Sequence, residues 1–234
     1  MTLAAPDLIL CLDTSTPTAR VAILDGDGGV RYAAEATAER HSSHVLPLCA
    51  QALGAVSIAP ADLAGIACGG GPGSFTGLRV GLSTVKGLAL ATGVPLYVVS
   101  SLQALALDIV ATVDPGTTAV PCLDAGKGEV YVAGYVADDT ALVRETAADC
   151  RLAATALADW LAALPAPGPA VAGNGAERHQ VAGRLAVAGP SAVSVGRLAL
   201  LQRRRGEAAS LATAVPIYGR PPDITVKKPA KKSS

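Results

Sequence analysis

A strand-like run that ends on an acid occurs twice in this chain of 234 residues. Asp7-Leu-Ile-Leu-Cys-Leu-Asp13 is the first copy, and Val120-Pro-Cys-Leu-Asp124 is the second. The shared Cys-Leu-Asp alone carries little weight; the order of turns and strands behind each copy carries more. After Asp13 come the polar turn Thr14-Ser-Thr-Pro-Thr18, a strand over 19–24, the hairpin turn Asp25-Gly-Asp-Gly-Gly29 and a third strand over 30–36. After Asp124 come the turn Ala125-Gly-Lys-Gly128, a strand over 129–136, a polar turn at 138–140 and a third short strand over 141–144. The same order restarting near half the chain length predicts two similar halves.

Between these meanders lie two helices and a glycine loop. His41-Ser-Ser-His-Val-Leu-Pro-Leu-Cys-Ala-Gln-Ala-Leu53 predicts a helix opening near Ser43 and running to about 56, apolar nearly all round. The run at 63–68 predicts a buried strand. It leads into Gly69-Gly-Gly-Pro-Gly73, and a helix capped by Ser74 or Thr76 continues as far as Gly93. Strand, glycine loop and helix start together are an arrangement that holds phosphate. The spacing nevertheless fits neither common nucleotide loop: no lysine comes after these glycines before Lys86, and Thr76 stands where a dinucleotide fingerprint needs glycine. A tight turn packing a helix under a strand is the plainer reading.

That second helix has three stripes. Arg79, Ser83 and Lys86 are polar; Leu78, Leu82, Val85 and Ala89 are apolar; Gly77, Gly81, Thr84 and Leu88 are smaller. An ordinary surface helix hides one face of about 100° or more. Here apolar or small residues cover most of the circumference, so one face can lie on a sheet and another needs a second cover.

Farther on, a strand over 94–100 precedes a helix capped by Ser101, and 114–118 links to the second half. There, helices are predicted over 155–164 and 194–205, with a short strand at 170–175 between them. Two βββαβα-like halves in tandem give an α/β fold class of duplicated ribonuclease-H-like type, the actin/sugar-kinase/Hsp70 architecture. The halves divide as 1–113 and 114–222, and the composition of the basic tail 223–234 predicts disorder.

Composition narrows the function classes. Half the residues are hydrophobic and 16% charged, with 19 basic and 19 acidic residues giving no net charge. No apolar run reaches the roughly 18 residues of a membrane helix, and the N-terminus lacks a secretory pattern. Five scattered cysteines without a CxxC pair read as reduced core residues of a cytoplasmic protein. Zero net charge and seven aromatics (one Phe, one Trp, five Tyr) argue against strong direct RNA binding.

Asp13-Thr-Ser15, His41-Ser, Leu46-Pro47, Gly70-Gly-Pro-Gly-Ser-Phe-Thr-Gly-Leu-Arg79, Lys86-Gly-Leu-Ala89, Gly126-Lys-Gly-Glu-Val-Tyr131, Gly173-Asn-Gly175 and Pro216-Ile-Tyr-Gly-Arg220 occur in that order. Together they resemble the TsaB/YeaZ family, the dimerisation subunit of the bacterial machinery for tRNA threonylcarbamoyladenosine. The likeness runs from about residue 8 to 220. Gly126-Lys127 and Gly219 depart from it, standing where the family often has an arginine and a leucine.

The resemblance implies a scaffold without catalytic residues or metal. It would bind a TsaD-like catalytic paralogue, with a TsaE-like ATPase joining them and tRNA reached through the complex. The partner-binding surface it implies lies on the two helices after the first meander: Leu46, Leu53, Gly77, Leu78, Arg79, Gly81, Leu82, Val85 and Lys86. Gly77 and Gly81 would let two helix backbones approach closely, and Leu82→Asp would abolish pairing while leaving the monomer folded. The same helices leave room for a homodimer. ATP or ADP with Mg²⁺ at the subunit interface is compatible with this reading.

Asp13, Thr14 and Ser15 are the candidate phosphate loop, against a strand-end turn held by its own hydrogen bonds. Arg79 and Lys86 read either as partner or nucleotide contacts or as a solvated stripe. His41 and His44 lack an obvious third ligand and read as capping or interface polarity. The rival function is an independent ATP-binding phosphotransferase or hydrolase, or a peptidase-like protein, of the same fold.

Overall fold

The computed structural model describes residues 7–37, 44–137, 142–165 and 168–217. His41, Ser43, the turn at 138–140 and the chain from Tyr218 onward lie outside them. Strands β1 (Leu8–Asp13), β2 (Thr18–Asp25) and β3 (Val30–Thr37) form the first meander. Helix α1 (Val45–Ala55), strand β4 (Gly65–Gly69), helix α2 (Phe75–Thr92), strand β5 (Leu96–Val99) and helix α3 (Ser101–Val110) come next. The second part holds β6 (Ala119–Gly126), β7 (Glu129–Ala137), β8 (Val143–Ala153), α4 (Leu157–Ala162), β9 (Ala170–Ala172), α5 (Asn174–Arg178) and α6 (Ala192–Arg204).

The two sheets repeat one topology. The first has the order β3-β2-β1-β4-β5 and the second β8-β7-β6-β9. In each, the strand that ends near the repeated aspartate pairs antiparallel with the next strand and parallel with a later one. This is the duplicated α/β architecture that the repeated motif predicts.

Strand β1 is apolar up to its terminal Asp13 because both its faces are covered. Leu8, Leu10 and Leu12 join the core beneath α1 and α2, whereas Ile9 and Cys11 join the core beneath α3 and α6. Truncating fully buried Leu10 to alanine would cost roughly 2–5 kcal/mol on that account.

Helices α3 and α6 form the central layer between the two sheets. The first part contributes α3, which packs on β6 and β7; the second contributes α6, which packs on β1, β2, β4 and β5. Sequence order places these helices in opposite halves, and each covers the other half's sheet. Asp108 of α3 binds them together, accepting from the Ser191 N–H at 2.7 Å, the Ser191 hydroxyl at 2.7 Å and the Ser194 hydroxyl at 2.6 Å. A carboxylate at the N-terminus of α6 also complements the helix dipole. Helices α4 and α5 cover the outer face of the second sheet.

Candidate functional site

Two places gather the residues singled out in the sequence: the turn after β1, and the outer face of α1 and α2. At the turn, Asp13 is fully buried. Its Oδ1 accepts from the Ser15 N–H at 2.9 Å and the Ser15 hydroxyl at 2.7 Å; its Oδ2 accepts from the Ser101 hydroxyl at 3.0 Å. Burial pushes the carboxyl above its ordinary range, while the serine hydrogen bonds and the Arg20 charge pull it back. Thr14 is also buried, and its hydroxyl donates to the Gly77 carbonyl at 2.8 Å.

The glycine loop lies against this turn. Gly70 N–H donates to Val99 O, Gly71 N–H to the Ser101 hydroxyl, Ser74 N–H to Ser15 O, and Gly77 N–H to the capping Ser74 hydroxyl. These donors are therefore engaged inside the chain. The side-chain oxygens of Asp13, Thr14 and Ser15 find partners within the chain as well, the pattern of a strand-end turn held by its own hydrogen bonds. A sequence-level detail changes here: Ser100 caps α3 by accepting from Gln103 N–H, which frees Ser101 to reach Asp13.

Helix α2 explains the glycines differently from the sequence expectation. A Cβ on Gly77 would run into Thr14 O, and one on Gly81 into the Thr14 hydroxyl. Both glycines thus let α2 lie close on its own strand-end turn, and neither opens a notch toward a partner. Leu78, Leu82 and Val85 are buried inside the chain, as is Leu53 of α1. With Leu82 only 3% exposed, Leu82→Asp would damage the chain's own core.

The outward stripe holds other residues. On α1 it comprises Leu46, Pro47, Ala50, Gln51, Gly54 and Ala55. On α2 it runs through Phe75, Thr76, Arg79, Ser83, Gly87, Leu90 and Ala91. Leu46 is 54% exposed and Leu90 77%. A Cβ on Gly54 or Gly87 would meet nothing within 4 Å, so these two are the outward notches. Arg79 lies over the Phe75 ring, its guanidinium carbon 3.8 Å from the centroid. Lys86 is turned to the side and donates to Ala214 O at 2.9 Å, fastening the segment after α6 to the helix.

Gly54, Gly87 and Leu90 are the residues that sequence reasoning misses. A signal for two of them exists: continuing the Arg79–Ser83 stripe along α2 arrives at Gly87 and Leu90. A leucine on an otherwise polar stripe marks a surface with a second cover.

In the second sheet, Asp124 repeats the position of Asp13 in a more open setting. It accepts from Gly126 N–H at 3.2 Å and pairs with Arg178 at 3.2 Å, and its N–H donates to the Asn174 side-chain oxygen at 3.1 Å. Among the described residues no group of three or more His, Cys, Asp and Glu could hold a metal ion. No helix among them is long and apolar enough to cross a membrane.

A sequence profile of the family described as "TsaD: tRNA N6-adenosine threonylcarbamoyltransferase" matches residues 19–203. The chain is 34% identical over 134 residues to the tRNA threonylcarbamoyladenosine biosynthesis protein TsaB of Escherichia coli K12, covering 57% of this chain and 57% of that protein's length. It is 33% identical over 217 residues to an uncharacterized protein of Mycobacterium tuberculosis H37Rv, covering 92% of each. Its fold superposes on the structure of YeaZ from Pseudomonas aeruginosa with a TM-score of 0.75 at 27% identity, covering 91% of this chain and all of that one.

Proposed function

This chain belongs to the TsaB/YeaZ family, and from that premise we propose that it serves tRNA threonylcarbamoyladenosine synthesis as a non-catalytic scaffold. In this reading it docks a TsaD-like catalytic paralogue through the outer face of α1 and α2. A TsaE-like ATPase then joins the pair, and tRNA is met through the assembly.

The single observation that carries the reading is the outward stripe Leu46, Ala50, Gly54, Gly87 and Leu90 on adjacent helices. Burying two such leucines contributes about 1.5–3 kcal/mol each, and the glycines admit close helix approach. Neither leucine is needed for the chain's own core. The hydrogen bonding of Asp13, Thr14 and Ser15 to groups within the chain supports placing the chemistry on the partner rather than here.

The test is reconstitution. Purified chain, TsaD-like subunit, TsaE-like ATPase and tRNA are combined, and the modified nucleoside is quantified with each component omitted in turn. Omitting this chain is expected to abolish product, while the chain alone turns over no appreciable ATP and cleaves no protein substrate. Robust ATP turnover by the chain alone that vanishes in Asp13→Ala would overturn the reading.

A further inference from the structure

We propose that the pocket between the glycine loop and the second sheet binds a free α-amino acid with an aliphatic side chain, held as a zwitterion by Asp149 and Arg151. The pocket has a volume of about 210 Å³. Pro72 of the glycine loop, Leu102 of α3 and Ile217 wall one side; Tyr131 of β7 with Asp149 and Arg151 of β8 wall the other. Ile217 is fixed there by its N–H, which donates to Gly70 O at 2.7 Å. Pockets for drug-sized ligands start at about 300 Å³, so this one suits a smaller metabolite. The site is separate from the outward stripe of α1 and α2 and does not depend on what docks there.

The path of β8 brings two opposite charges to this pocket. Cys150 pairs with Val132 and Ala147 with Gly134, so Ala148 and Asp149 together stand opposite Ala133. Two residues facing one make a β-bulge, which re-aims a side chain, and here Asp149 comes to the pocket beside Arg151. Arg151 pairs with Tyr131, whose side chain belongs to the central core, whereas Cys150 packs into the core on the sheet's outer face. Strand alternation therefore turns Arg151 toward the pocket.

Neither charge is taken up by the fold. Among the described residues no side-chain hydrogen bond is made by the Asp149 carboxylate or the Arg151 guanidinium. The ion-pair neighbour of Arg151 is Glu129, 3.5 Å from one nitrogen, which is long for an N–H···O bond. The Arg151 side chain is nevertheless only 32% exposed, so much of it is already out of water. With Asp149 and Glu129 against one arginine, the site carries a net negative charge that disfavours phosphates and other anions. A zwitterion meets both signs. Its carboxylate accepts paired bonds from the guanidinium, its ammonium donates to Asp149, and its side chain lies against Pro72, Leu102 and Ile217.

Calorimetric titration of the full chain with L-valine, L-leucine and L-isoleucine tests the proposal, with leucinamide, 4-methylpentanoate and ADP as comparison probes. At least one of the three amino acids is expected to bind and to raise the melting temperature as its concentration rises. Leucinamide lacks the carboxylate and 4-methylpentanoate lacks the ammonium, so each should bind about tenfold or more weakly than L-leucine. Arg151→Gln and Asp149→Asn should each weaken amino-acid binding by about the same factor. Both variants should melt close to wild type without ligand, because neither side chain holds a hydrogen bond of the fold. Four results would overturn the proposal: no binding of the three amino acids up to millimolar concentration, equal binding of leucinamide or 4-methylpentanoate, binding unaltered by both substitutions, or displacement of the amino acid by ADP.

Discussion

The hydroxyl of Ser101 donates to Oδ2 of Asp13 at 3.0 Å, joining the end of β1 to the start of α3 across 88 positions of sequence. The same oxygen accepts from Gly71 N–H at 3.2 Å, so one serine couples strand end, glycine loop and central helix. Ser101→Ala leaves a buried N–H unpaired and removes one of the donors to the carboxylate. It is expected to lower stability by roughly 1–3 kcal/mol, read as a lower urea midpoint with an unchanged slope.

The pH dependence of that cluster has a definite sign. Burial raises the Asp13 carboxyl above its ordinary value of 3.8, so it binds its proton more tightly folded than unfolded. Its stabilising contribution is complete below that ordinary value and is lost as pH rises through the raised one. The stability difference between wild type and Asp13→Asn should therefore shift toward wild type as pH falls from neutrality to about 4. Paired urea titrations check this, because all other titrating groups are common to both proteins.

Two glycines of α2 should respond to alanine in opposite ways. Gly81→Ala drives a methyl into Thr14, while at Gly87 the methyl enters open space. Gly87→Ala is expected to stabilise the isolated chain by roughly 0.5–1 kcal/mol through helix propensity, and Gly81→Ala to destabilise it. Thermal melts of the two variants beside wild type give the signs directly.

That contrast shows where the sequence stops being legible. The strands are readable because β1, β4 and β6 have nearly continuous apolar runs, and the Cys-Leu-Asp repeat marks the duplication. The Ser74 cap and the Gly93 stop of α2 are readable too. Which way α2 faces is not, since small and apolar residues cover most of its circumference and Gly77, Gly81 and Gly87 look alike in a string. Strand β8 extends to Ala153, well beyond the four residues expected, because an outer strand with mostly exposed side chains has no apolar run to betray it. The crossing of α3 and α6 onto opposite sheets is a long-range choice that no local pattern records.

Thiol chemistry offers a check on the packing. Burial pushes the Cys49 and Cys122 thiols up to about 12 and raises those of Cys11 and Cys68. Only Cys150, half-buried on the outer strand β8, is partly open to solvent. At about pH 8 a colorimetric thiol reagent should titrate no more than one cysteine of the folded chain within minutes. All five should react after denaturation.

The most direct measurement of the proposed docking is co-elution of the chain with a TsaD-like subunit on a sizing column, for wild type, Leu90→Asp and Gly87→Trp. Leu90 is largely exposed and Gly87 faces open space, so both variants should still fold, with a cooperative melt shifted by no more than the change in helix propensity. The wild type should elute with the partner and both variants apart from it. Co-elution of either folded variant at wild-type affinity would contradict docking through the outer face of α1 and α2.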